Sequence, residues 1–405
     1  MVPVKQRLVP SPPAWSSKIF TVGVTGTNGK TTTTAWIAAA LRRLSKPVAR
    51  ATTVGFFLDE DEQLIEKSYD GFILGMKRLL DLGGTHAAIE LTSEALAHGF
   101  ARAWPCTVGV FTNLTHDHLD AHGSPEHYLA SKAQLFVSLP AGAKAVLNAS
   151  DPNYELLREV TPPHVTVTTY AVPERGSPQG DPELVATSVD VSWKGTRVSC
   201  RAKNGLPESI SVRGIGSVYA ENALAALLGA IAAGVPANEA KDAIEAMPSP
   251  PGRFEVIHER PYVVVDYAHS PDALQRTVNI ARSLTKDARL SVVFGAGGKR
   301  DKAKRGPMGE AARPADLVIL TSDNPRDEDP AEIAKAIEQG LVGHANVRTE
   351  LDRKKAIAFA IEEARDDDVV LIAGFGHEKK QTIGNETRDF SDVEVAQEAL
   401  AARKK

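Results

Sequence analysis

The sequence of 405 residues has few cysteines and no long uninterrupted apolar run. Two cysteines, Cys106 and Cys200, are too few for a disulfide framework, so we expect both to be small buried residues. No apolar stretch approaches the ~18 residues that a membrane-spanning helix requires. The opening stretch MVPVKQRLVPSPPAWSSK contains prolines and lacks the apolar segment of a signal peptide. We therefore expect a cytoplasmic protein without a membrane partner.

A strong excess of charge of either sign is also missing. The formal net charge is −4 at pH 7, which argues against a general affinity for nucleic acid or for anionic membranes. Apolar residues make up 42% of the chain, and 405 residues exceed the size of one ordinary domain. The composition therefore predicts two or three domains, each with its own core.

Strand-like apolar runs alternate with amphipathic helix-like stretches, which predicts an α/β protein with mostly parallel sheets. Residues 161–215 are rich in valine, threonine and serine and alternate in polarity, so we expect a small β-rich section there. The segment MPSPPGRFE (247–255) disfavours helix and resembles a linker. We predict a first domain over residues 1–250 and a second, doubly wound α/β domain over residues 251–405.

Four predicted strands of the second half are each followed by a polar loop. Ligands of doubly wound sheets bind at the carboxyl ends of the strands, so these four loops are expected to share one site. The strand–loop sequences are YVVVDYAHSPD, LSVVFGAGGKRDK, DLVILTSDNPRDE and DVVLIAGFGHEKK.

The stretch VGVTGTNGKTTTT (22–34) approaches the phosphate-binding pattern G-x-x-x-x-G-K-[ST], but its first glycine stands one residue early. Phosphate binding requires glycines that let backbone N–H groups approach, a lysine for the β- and γ-phosphates and a hydroxyl for Mg²⁺. Gly26, Gly29, Lys30 and Thr31 supply these groups ahead of a predicted helix, whose N-terminus favours an anion. A glycine-rich turn with an incidental lysine is the weaker alternative.

A second polar segment, TNLTHDHLDAHGSPEHYLASKAQLF (112–136), concentrates histidine and aspartate at the end of a predicted strand. Composition alone leaves three interpretations open. These are a transition-metal hydrolase site, a solvated polar loop and a Mg²⁺-assisted phosphoryl-transfer site. The residues concerned are His116, Asp117, His118, Asp120 and His122.

The motif TGTNGKTT (25–32) resembles the phosphate-loop motif of the Mur ligase superfamily. These are the ATP-dependent amide-forming enzymes of peptidoglycan synthesis and folate polyglutamylation. In that family the first glycine stands one residue early, as Gly23 does here. The histidine–aspartate segment resembles the family's T-N-[LV]-x-x-D-H-L-D-x-H-G, followed by an A-x-K helix. At least six motifs occur in the family's order from residue 20 onward, and their details resemble the MurE type.

The resemblance implies ATP as a substrate and Mg²⁺ at two sites. Glu90 and His118 correspond to metal-binding residues, Thr31 supplies a hydroxyl, and Lys132 corresponds to a lysine that many members carbamylate. From composition alone, a surface Lys132 and a helix-turn Glu90 would be favoured. The implied ATP-binding residues of the first half are Gly26, Thr27, Asn28, Gly29, Lys30, Thr31, Thr32 and Asn222.

Two departures from the family concern the acceptor. Glu94 stands where E-V-S-S-H-A-L has histidine, and SYDGFILG (68–75) replaces a T-T-P segment. Members of the MurE type carry a further domain before the phosphate loop, which binds the uridine diphosphate end of the acceptor. Few residues precede the loop here, so we expect that domain to be absent. A separate acceptor-binding partner is then an option.

Motifs of the second half also resemble the MurE type. Asp266, Tyr267 and His269 of DYAHSPDAL are implied ATP contacts, and Arg253 belongs to a domain-joining motif. Arg300, in FGAGGKRDKAKRGPMG (294–309), is expected to reach the phosphates and to stabilise developing charge.

The tetrapeptide D-N-P-R (323–326) is characteristic of MurE-type enzymes that select meso-diaminopimelate over lysine. The resemblance implies that Arg326 holds a carboxylate bidentately, while Asp323 and Asn324 hold the amino-acid head. Gly374 and Glu378 of AGFGHE are implied contacts of the same amino acid, although a phenylalanine replaces the family's lysine between them. Without the other motifs, D-N-P-R would be taken as an ordinary turn.

These motifs predict an acid–amino-acid ligase that works through an acyl phosphate and releases ADP and phosphate. The predicted catalytic residues are Lys30, Glu90, His118, Lys132 and Arg300. Two alternatives stay open at this point. One is a ligase of the folylpolyglutamate or poly-amino-acid type, and the other is a non-catalytic ATP-binding partner protein.

Overall fold

The computed structural model describes residues 10–114, 124–299 and 301–403. The chain divides into two compact units. The first takes most of the chain up to Pro248, and the second takes Ser249 onward together with Ser192–Lys194 and Gly214–Gly216. Among the described residues, no helix combines the length and the apolarity that a bilayer crossing needs.

The first unit is built on one sheet, in which eleven strands are described in the order β11-β10-β9-β8-β7-β6-β1-β5-β2-β3-β4. Pairing is parallel from β2 through β5, β1, β6, β7 and β8 to β9, whereas β3, β4 and β11 pair antiparallel toward the two edges. The strands are β1 (Phe20–Thr25), β2 (Val48–Ala51), β3 (Phe56–Leu58), β4 (Asp61–Gln63), β5 (His86–Glu90), β6 (Val108–Phe111), β7 (Lys144–Asn148), β8 (Thr166–Ala171), β9 (Leu184–Ser192), β10 (Gly195–Ala202) and β11 (Ser209–Val212).

Helices cover both faces of this sheet, because its central strands are apolar on both sides. Helices α1, α7 and α8 pack on one face and α2, α5 and α6 on the other. The described helices are α1 (Lys30–Leu41), α2 (Tyr69–Asp81), α3 (Ser93–Ala97), α4 (Phe100–Ala103), α5 (Pro125–Val137), α6 (Tyr154–Val160), α7 (Val218–Ala232) and α8 (Ala237–Glu245).

The β-rich section expected over residues 161–215 contains β8 to β11. These strands do not form a sheet of their own; they extend the sheet that carries β1. Of the two cysteines, Cys106 is buried as expected, whereas Cys200 is partly exposed, and both are free thiols. Burial raises the pKa of each thiol to about 12, so neither is a reactive thiolate at neutral pH.

The second unit contains a six-stranded sheet in its described part, in the order β12-β13-β17-β14-β15-β16. All neighbouring pairs are parallel except β12 with β13. A separate hairpin, β18 with β19, follows the last parallel strand in the chain. The strands are β12 (Glu255–Glu259), β13 (Tyr262–Asp266), β14 (Leu290–Phe294), β15 (Leu317–Leu320), β16 (Val347–Thr349), β17 (Val369–Ala373), β18 (Lys380–Ile383) and β19 (Glu386–Asp389).

Five helices are described in this unit. The central strands β13, β14, β15 and β17 are almost entirely buried and rich in valine, isoleucine and leucine, as a sheet covered on both faces requires. This architecture confirms the predicted α/β fold class with a doubly wound second half. The helices are α9 (Pro271–Thr285), α10 (Arg305–Ala312), α11 (Pro330–Glu338), α12 (Arg353–Glu363) and α13 (Asp392–Arg403).

Candidate active site

The loop between β1 and α1 is held by the end of the neighbouring strand β6. The backbone N–H of Thr27 donates to the Asn113 carbonyl at 2.7 Å, and that of Asn28 donates to Asn113 Oδ1 at 3.0 Å. The Thr112 hydroxyl donates to the Asn28 carbonyl at 2.7 Å. The loop is therefore shaped by its own unit before any ligand binds, as a phosphate-binding loop must be.

Two positions of this loop require glycine, because each has a positive φ and a neighbouring side chain stands where a Cβ would lie. Gly26 has φ +151°, and a Cβ there would stand 1.9 Å from Thr112 Oγ1. Gly29 has φ +83°, and a Cβ there would stand 1.9 Å from Asn222 Oδ1. In contrast, Gly23 lies inside β1, where a Cβ would stand 2.6 Å from the Cys106 sulfur. The early glycine thus serves packing, and Gly26 and Gly29 shape the loop.

Asn222 is buried at the start of α7, and its Oδ1 has no hydrogen-bond partner among the described residues. A buried acceptor without a partner costs free energy, so such an atom calls for a donor from outside the chain. Its place beside Gly29 fits a donor group on a nucleotide.

The first turn of α1 brings a lysine and two hydroxyls to the loop. Lys30 Nζ donates to the Thr27 carbonyl at 2.9 Å, and the Thr31 hydroxyl donates to Glu90 Oε2 at 2.8 Å. Glu90 reaches Thr31 because β5 pairs in parallel with β1, in a register that places Glu90 beside Val24. Thr32 follows on the same turn.

Lys132 of α5 is buried against this loop, with only 1% of its surface exposed. Its Nζ donates to the Gly26 carbonyl at 2.7 Å and lies 4.4 Å from the ring centroid of Tyr128. The Tyr128 hydroxyl in turn donates to Thr27 Oγ1 at 3.2 Å. The surface position that composition alone favours for Lys132 is wrong, because α5 packs this face directly onto the loop.

Several predicted site residues lie outside the described residues: His118 and Arg300, together with His116, Asp117, Asp120 and His122. Within the described ranges, no group of three or more His, Cys, Asp or Glu side chains could hold a metal ion. Thr31 and Glu90 nevertheless offer two oxygen donors at hydrogen-bond distance from each other, which suits the hard cation Mg²⁺.

A cleft of about 600 Å³ opens beside Glu90 in the first unit. Its lining includes Thr53, whose backbone N–H donates to Glu90 Oε2 at 3.3 Å. Glu94 and the Ser68 end of the segment SYDGFILG line it as well. The positions at which the sequence departs from the family therefore share one cleft with the metal-binding candidate.

Sequence reasoning missed a buried acid beneath the loop, Glu221 of α7. Its two oxygens accept hydrogen bonds from Asn113 Nδ2 at 3.1 Å and Asn148 Nδ2 at 3.2 Å, and Arg175 Nε lies 3.5 Å away. Burial raises the pKa of Glu221 despite these donors. A lone acid in the apolar helix YAENALAALLGAIA was the signal available, because an unpaired charge is rarely buried.

In the second unit, the loops after β13, β14, β15 and β17 meet at one edge of the sheet. The Tyr267 hydroxyl donates to Glu378 Oε1 at 3.3 Å, and Asn324 Nδ2 donates to Glu378 Oε2 at 3.3 Å. Arg326 Nη1 donates to the Gly298 carbonyl at 2.7 Å. The structure thus brings together the four loops predicted to share a site.

The predicted nucleotide contacts of this unit surround Tyr267. The Arg253 guanidinium lies 4.6 Å from the Tyr267 ring centroid, and His269 Nδ1 lies 2.9 Å from the Tyr267 carbonyl. Asp266 is buried, and it accepts a hydrogen bond from the Phe254 backbone at 2.6 Å. Its carboxylate therefore organises the loop, and a direct contact with ATP stays a prediction.

The D-N-P-R loop packs closely on Gly374, the residue after β17. Gly374 has φ +118°, and a Cβ there would stand 2.7 Å from Asp323 Oδ2. Phe375, at the family's lysine position, is fully buried. It is therefore a core side chain here and cannot replace the charge of a lysine in the site.

The carboxylate of Glu328, just after this loop, lies close to three nitrogen groups. It accepts from the Lys299 backbone at 2.6 Å and from Arg305 Nη2 at 2.9 Å, and Lys302 Nζ lies 3.4 Å away. These hydrogen bonds and charges lower the pKa of Glu328 to about 2. Lys299, which replaces a family aspartate, thus contributes to the Glu328 cluster through its backbone.

This lowered pKa predicts an acid-sensitive contribution to stability. The carboxylate stabilises the folded chain above its unfolded-state pKa near 4.5, and this stabilisation is lost as the pH falls toward about 2. In urea titrations at pH 6 and pH 3, we expect Glu328→Gln to lose less stability on acidification than the wild type. The control is Glu332→Gln, because Glu332 is exposed on α11 and this variant should lose as much stability on acidification as the wild type. Equal pH dependence of Glu328→Gln and wild type would contradict the prediction.

Each of the two units matches a known protein domain family. The Mur ligase middle domain matches residues 24–230, and the Mur ligase glutamate ligase domain matches residues 252–376. The chain is 37% identical over 391 residues to the UDP-N-acetylmuramoyl-L-alanyl-D-glutamate–2,6-diaminopimelate ligase of Bacillus velezensis. It is 39% identical over 395 residues to the protein of the same name from Halalkalibacterium halodurans. Each match covers 94% of this chain and 78% of the relative.

The chain belongs to the Mur ligase family. A solved structure of a ligase with the same name as these relatives aligns with a TM-score of 0.72 at 33% identity, over 96% of this chain and 79% of that one. The resemblance to the family and the assignment to ATP-dependent ligases are thereby confirmed. Mur ligases use ATP and generally Mg²⁺.

Proposed function

We propose that this Mur ligase adds an amino acid of the diaminopimelate type to a carboxylate acceptor through an acyl phosphate, with release of ADP and phosphate. The observation that carries the proposal is the polar cluster at the strand ends of the second unit. There Arg326, Asn324 and Glu378 lie on loops that are tied together by hydrogen bonds. The names of the two relatives, both 2,6-diaminopimelate ligases, support the same amino acid.

At the nucleotide end, the backbone of Thr27 to Lys30 would cradle the phosphates at the start of α1, where the helix dipole favours negative charge. Lys30 would leave the Thr27 carbonyl for the β- and γ-phosphates. The orphan Asn222 Oδ1 would accept a hydrogen bond from the nucleotide.

The oxygen donors around Glu90 fit Mg²⁺. Thr31 and Glu90 would hold one ion, and Glu90 with His118 and a carbamylated Lys132 would hold the second. When bound, Mg²⁺ neutralises charge on the phosphates and so lowers the barrier to phosphoryl transfer. Carbamylation is supported by the place of Lys132, because its buried Nζ lies against the phosphate loop, where a carbamate oxygen would face the metal-binding candidates.

The cleft beside Glu90 is the proposed acceptor site. An acceptor carboxylate at its inner end would attack the γ-phosphorus of ATP, so that the bond to ADP breaks and an acyl phosphate forms. The amine of the amino acid would then attack the acyl carbon, and phosphate would leave. Arg300 is proposed to stabilise the developing charge. The chain needs no covalent nucleophile for this route, since positioning and electrostatics suffice.

At the amino-acid end, Arg326 would bind the distal carboxylate bidentately, the geometry for which guanidinium is suited and ammonium is not. Asp323, Asn324, Gly374 and Glu378 would hold the amino-acid head, with the carboxylates facing its ammonium group. A lysine substrate would bring a cation toward Arg326, so it should be rejected.

The experiment is phosphate release by purified protein with ATP, Mg²⁺, a panel of peptide and glutamate acceptors, and either meso-diaminopimelate or lysine. We expect release that depends on both acceptor and amino acid, with diaminopimelate preferred. No release with any combination would refute the ligase proposal, and a preference for lysine would refute the proposed amino acid. A separate acceptor-binding partner stays a prediction.

Lys132→Ala is expected to lower the rate of phosphate release about 10²-fold, the cost of losing one charge-stabilising group in an active site. The matched control is Lys144→Ala, because Lys144 Nζ also donates to a backbone carbonyl, that of Ala232, at 2.9 Å. Removal of bicarbonate should slow the wild type and leave Lys132→Ala unaffected if the lysine is carbamylated. Equal rates for wild type and Lys132→Ala would contradict the predicted role.

A further inference from the structure

The hairpin β18–β19 supports the D-N-P-R loop through the backbone. The N–H of Arg326 donates to the Thr382 carbonyl at 3.3 Å, and the N–H of Gly384 donates to the Arg326 carbonyl at 2.6 Å. Arg326 also forms a parallel bridge with Ile383. The residue proposed to read the distal carboxylate is therefore attached to the hairpin as a short additional strand.

The side chain of Asn324 is oriented by the same hairpin. Its Oδ1 accepts from the Thr382 backbone at 2.7 Å, so its amide nitrogen is left to donate to Glu378 Oε2 at 3.3 Å. Because a backbone N–H only donates, the orientation of the amide is fixed. The hairpin thus sets which group Asn324 presents next to Glu378.

Gln381 of β18 links the hairpin to the start of the loop from a fully buried position. Its Nε2 donates to the Asp323 carbonyl at 2.8 Å. Its Oε1 accepts from Arg388 Nε at 3.0 Å and from Arg388 Nη2 at 2.6 Å. A carbonyl only accepts and a guanidinium only donates, so an amide at this position satisfies both partners. A carboxylate would lose the donor, and a thioether would lose both functions.

The loop needs such support because Arg326 has φ +52°. The left-handed region is uncommon for residues other than glycine, and such a conformation persists where the surrounding structure fixes it. The described contacts that fix Arg326 are the backbone pairing with the hairpin and the hydrogen bond to Gly298. Loosening the hairpin would let the guanidinium move away from its present place.

We propose that Gln381 and Arg388 are positioning residues that set the affinity and selectivity of this ligase for its amino acid. They act through the loop Asp323–Arg326 and do not touch the substrate. The inference rests on the proposed function, because it assumes that Arg326 and its neighbours bind the amino acid. It adds that the selectivity is encoded partly in a hairpin that carries no recognised motif.

The test compares Gln381→Glu, Gln381→Met, Arg388→Ala and Arg388→Lys with the wild type. For the first three variants, we expect the KM for diaminopimelate to rise about 10- to 100-fold, the size of effect that a displacement of about 1 Å produces. The KM for ATP should stay within twofold, and the preference for diaminopimelate over lysine should fall. Arg388→Lys keeps one donor for Gln381, so it should recover part of the affinity. Lys380→Ala is the control, because Lys380 is exposed on the same strand.

Direct binding of diaminopimelate, measured by calorimetry, separates the possible failures. Wild-type KM values in all variants would overturn the inference and leave the proposed function intact, and an equal rise of both KM values would show a merely structural role and also overturn it. A wild type that binds no amino acid would overturn both proposals. If Gln381→Met does not fold, the comparison of Arg388→Lys with Arg388→Ala decides, since both changes lie on a partly exposed side chain.

Discussion

Replacing Lys30 by alanine is expected to lower kcat for phosphate release at least about 10³-fold. The side chain lies on the first turn of α1, and its ammonium donates to the Thr27 carbonyl at 2.9 Å, inside the loop that is proposed to hold the phosphates. Loss of one group that stabilises developing charge costs 10²–10³-fold, and loss of a cation on a transferring phosphoryl group costs about 10³–10⁵-fold. The measurement is single-turnover phosphate release at saturating ATP.

Two controls separate chemistry from folding in this experiment. Lys77→Ala removes an exposed lysine that pairs with Asp81 on α2 of the same unit, and it should leave kcat unchanged. The urea midpoint of Lys30→Ala should lie well above the urea-free assay condition, so that a loss of kcat reports the chemical step and not unfolding. A variant that keeps kcat within tenfold of the wild type would remove Lys30 from the proposed catalytic residues.

The loop between β1 and α1 could be placed from the sequence because its determinants are local. Glycines, lysine and hydroxyl stand within a few residues of one another, and α1 begins at Lys30, as the pattern requires. The reason for the early glycine could not be predicted, since Gly23 packs against Cys106, which lies far along the chain, just before β6. The place of the loop therefore follows from local sequence, its packing depends on distant residues, and phosphate binding by it stays a prediction.

The residues that support the site could not be predicted either, because their roles depend on contacts with residues far away in the sequence. Gln381 and Arg388 belong to a hairpin without a motif, and Glu221 acts through asparagines from two other strands. The burial of Lys132 depends on how α5 packs against the loop, which no periodicity reveals. The D-N-P-R loop was visible as a motif, but the left-handed conformation of Arg326 arises from its pairing with the hairpin.

The second large effect is expected at the buried ion pair between Arg353 and Asp392. Neither side chain is exposed, and the guanidinium donates to Asp392 Oδ1 at 2.7 Å and to Oδ2 at 2.6 Å. It also donates to the Ala373 carbonyl at 3.0 Å, immediately before Gly374. Arg353 Nη1 is buried and has no hydrogen-bond partner in the part of the chain that the structure describes. The pair thus lies directly beneath the proposed amino-acid site and is already incompletely satisfied.

Asp392→Ala should lower the free energy of unfolding by about 3–5 kcal/mol, because it leaves an uncompensated buried charge. The control uses the same two helices, α12 and α13: Glu398→Ala breaks an exposed pair with Lys354 and should cost less than about 1 kcal/mol. Arg353→Met combined with Asp392→Leu should restore most of the loss, since apolar pairs often replace buried ion pairs without penalty. Urea unfolding measures all three variants. If Asp392→Ala costs no more than Glu398→Ala, the pair does not stabilise the floor of the site.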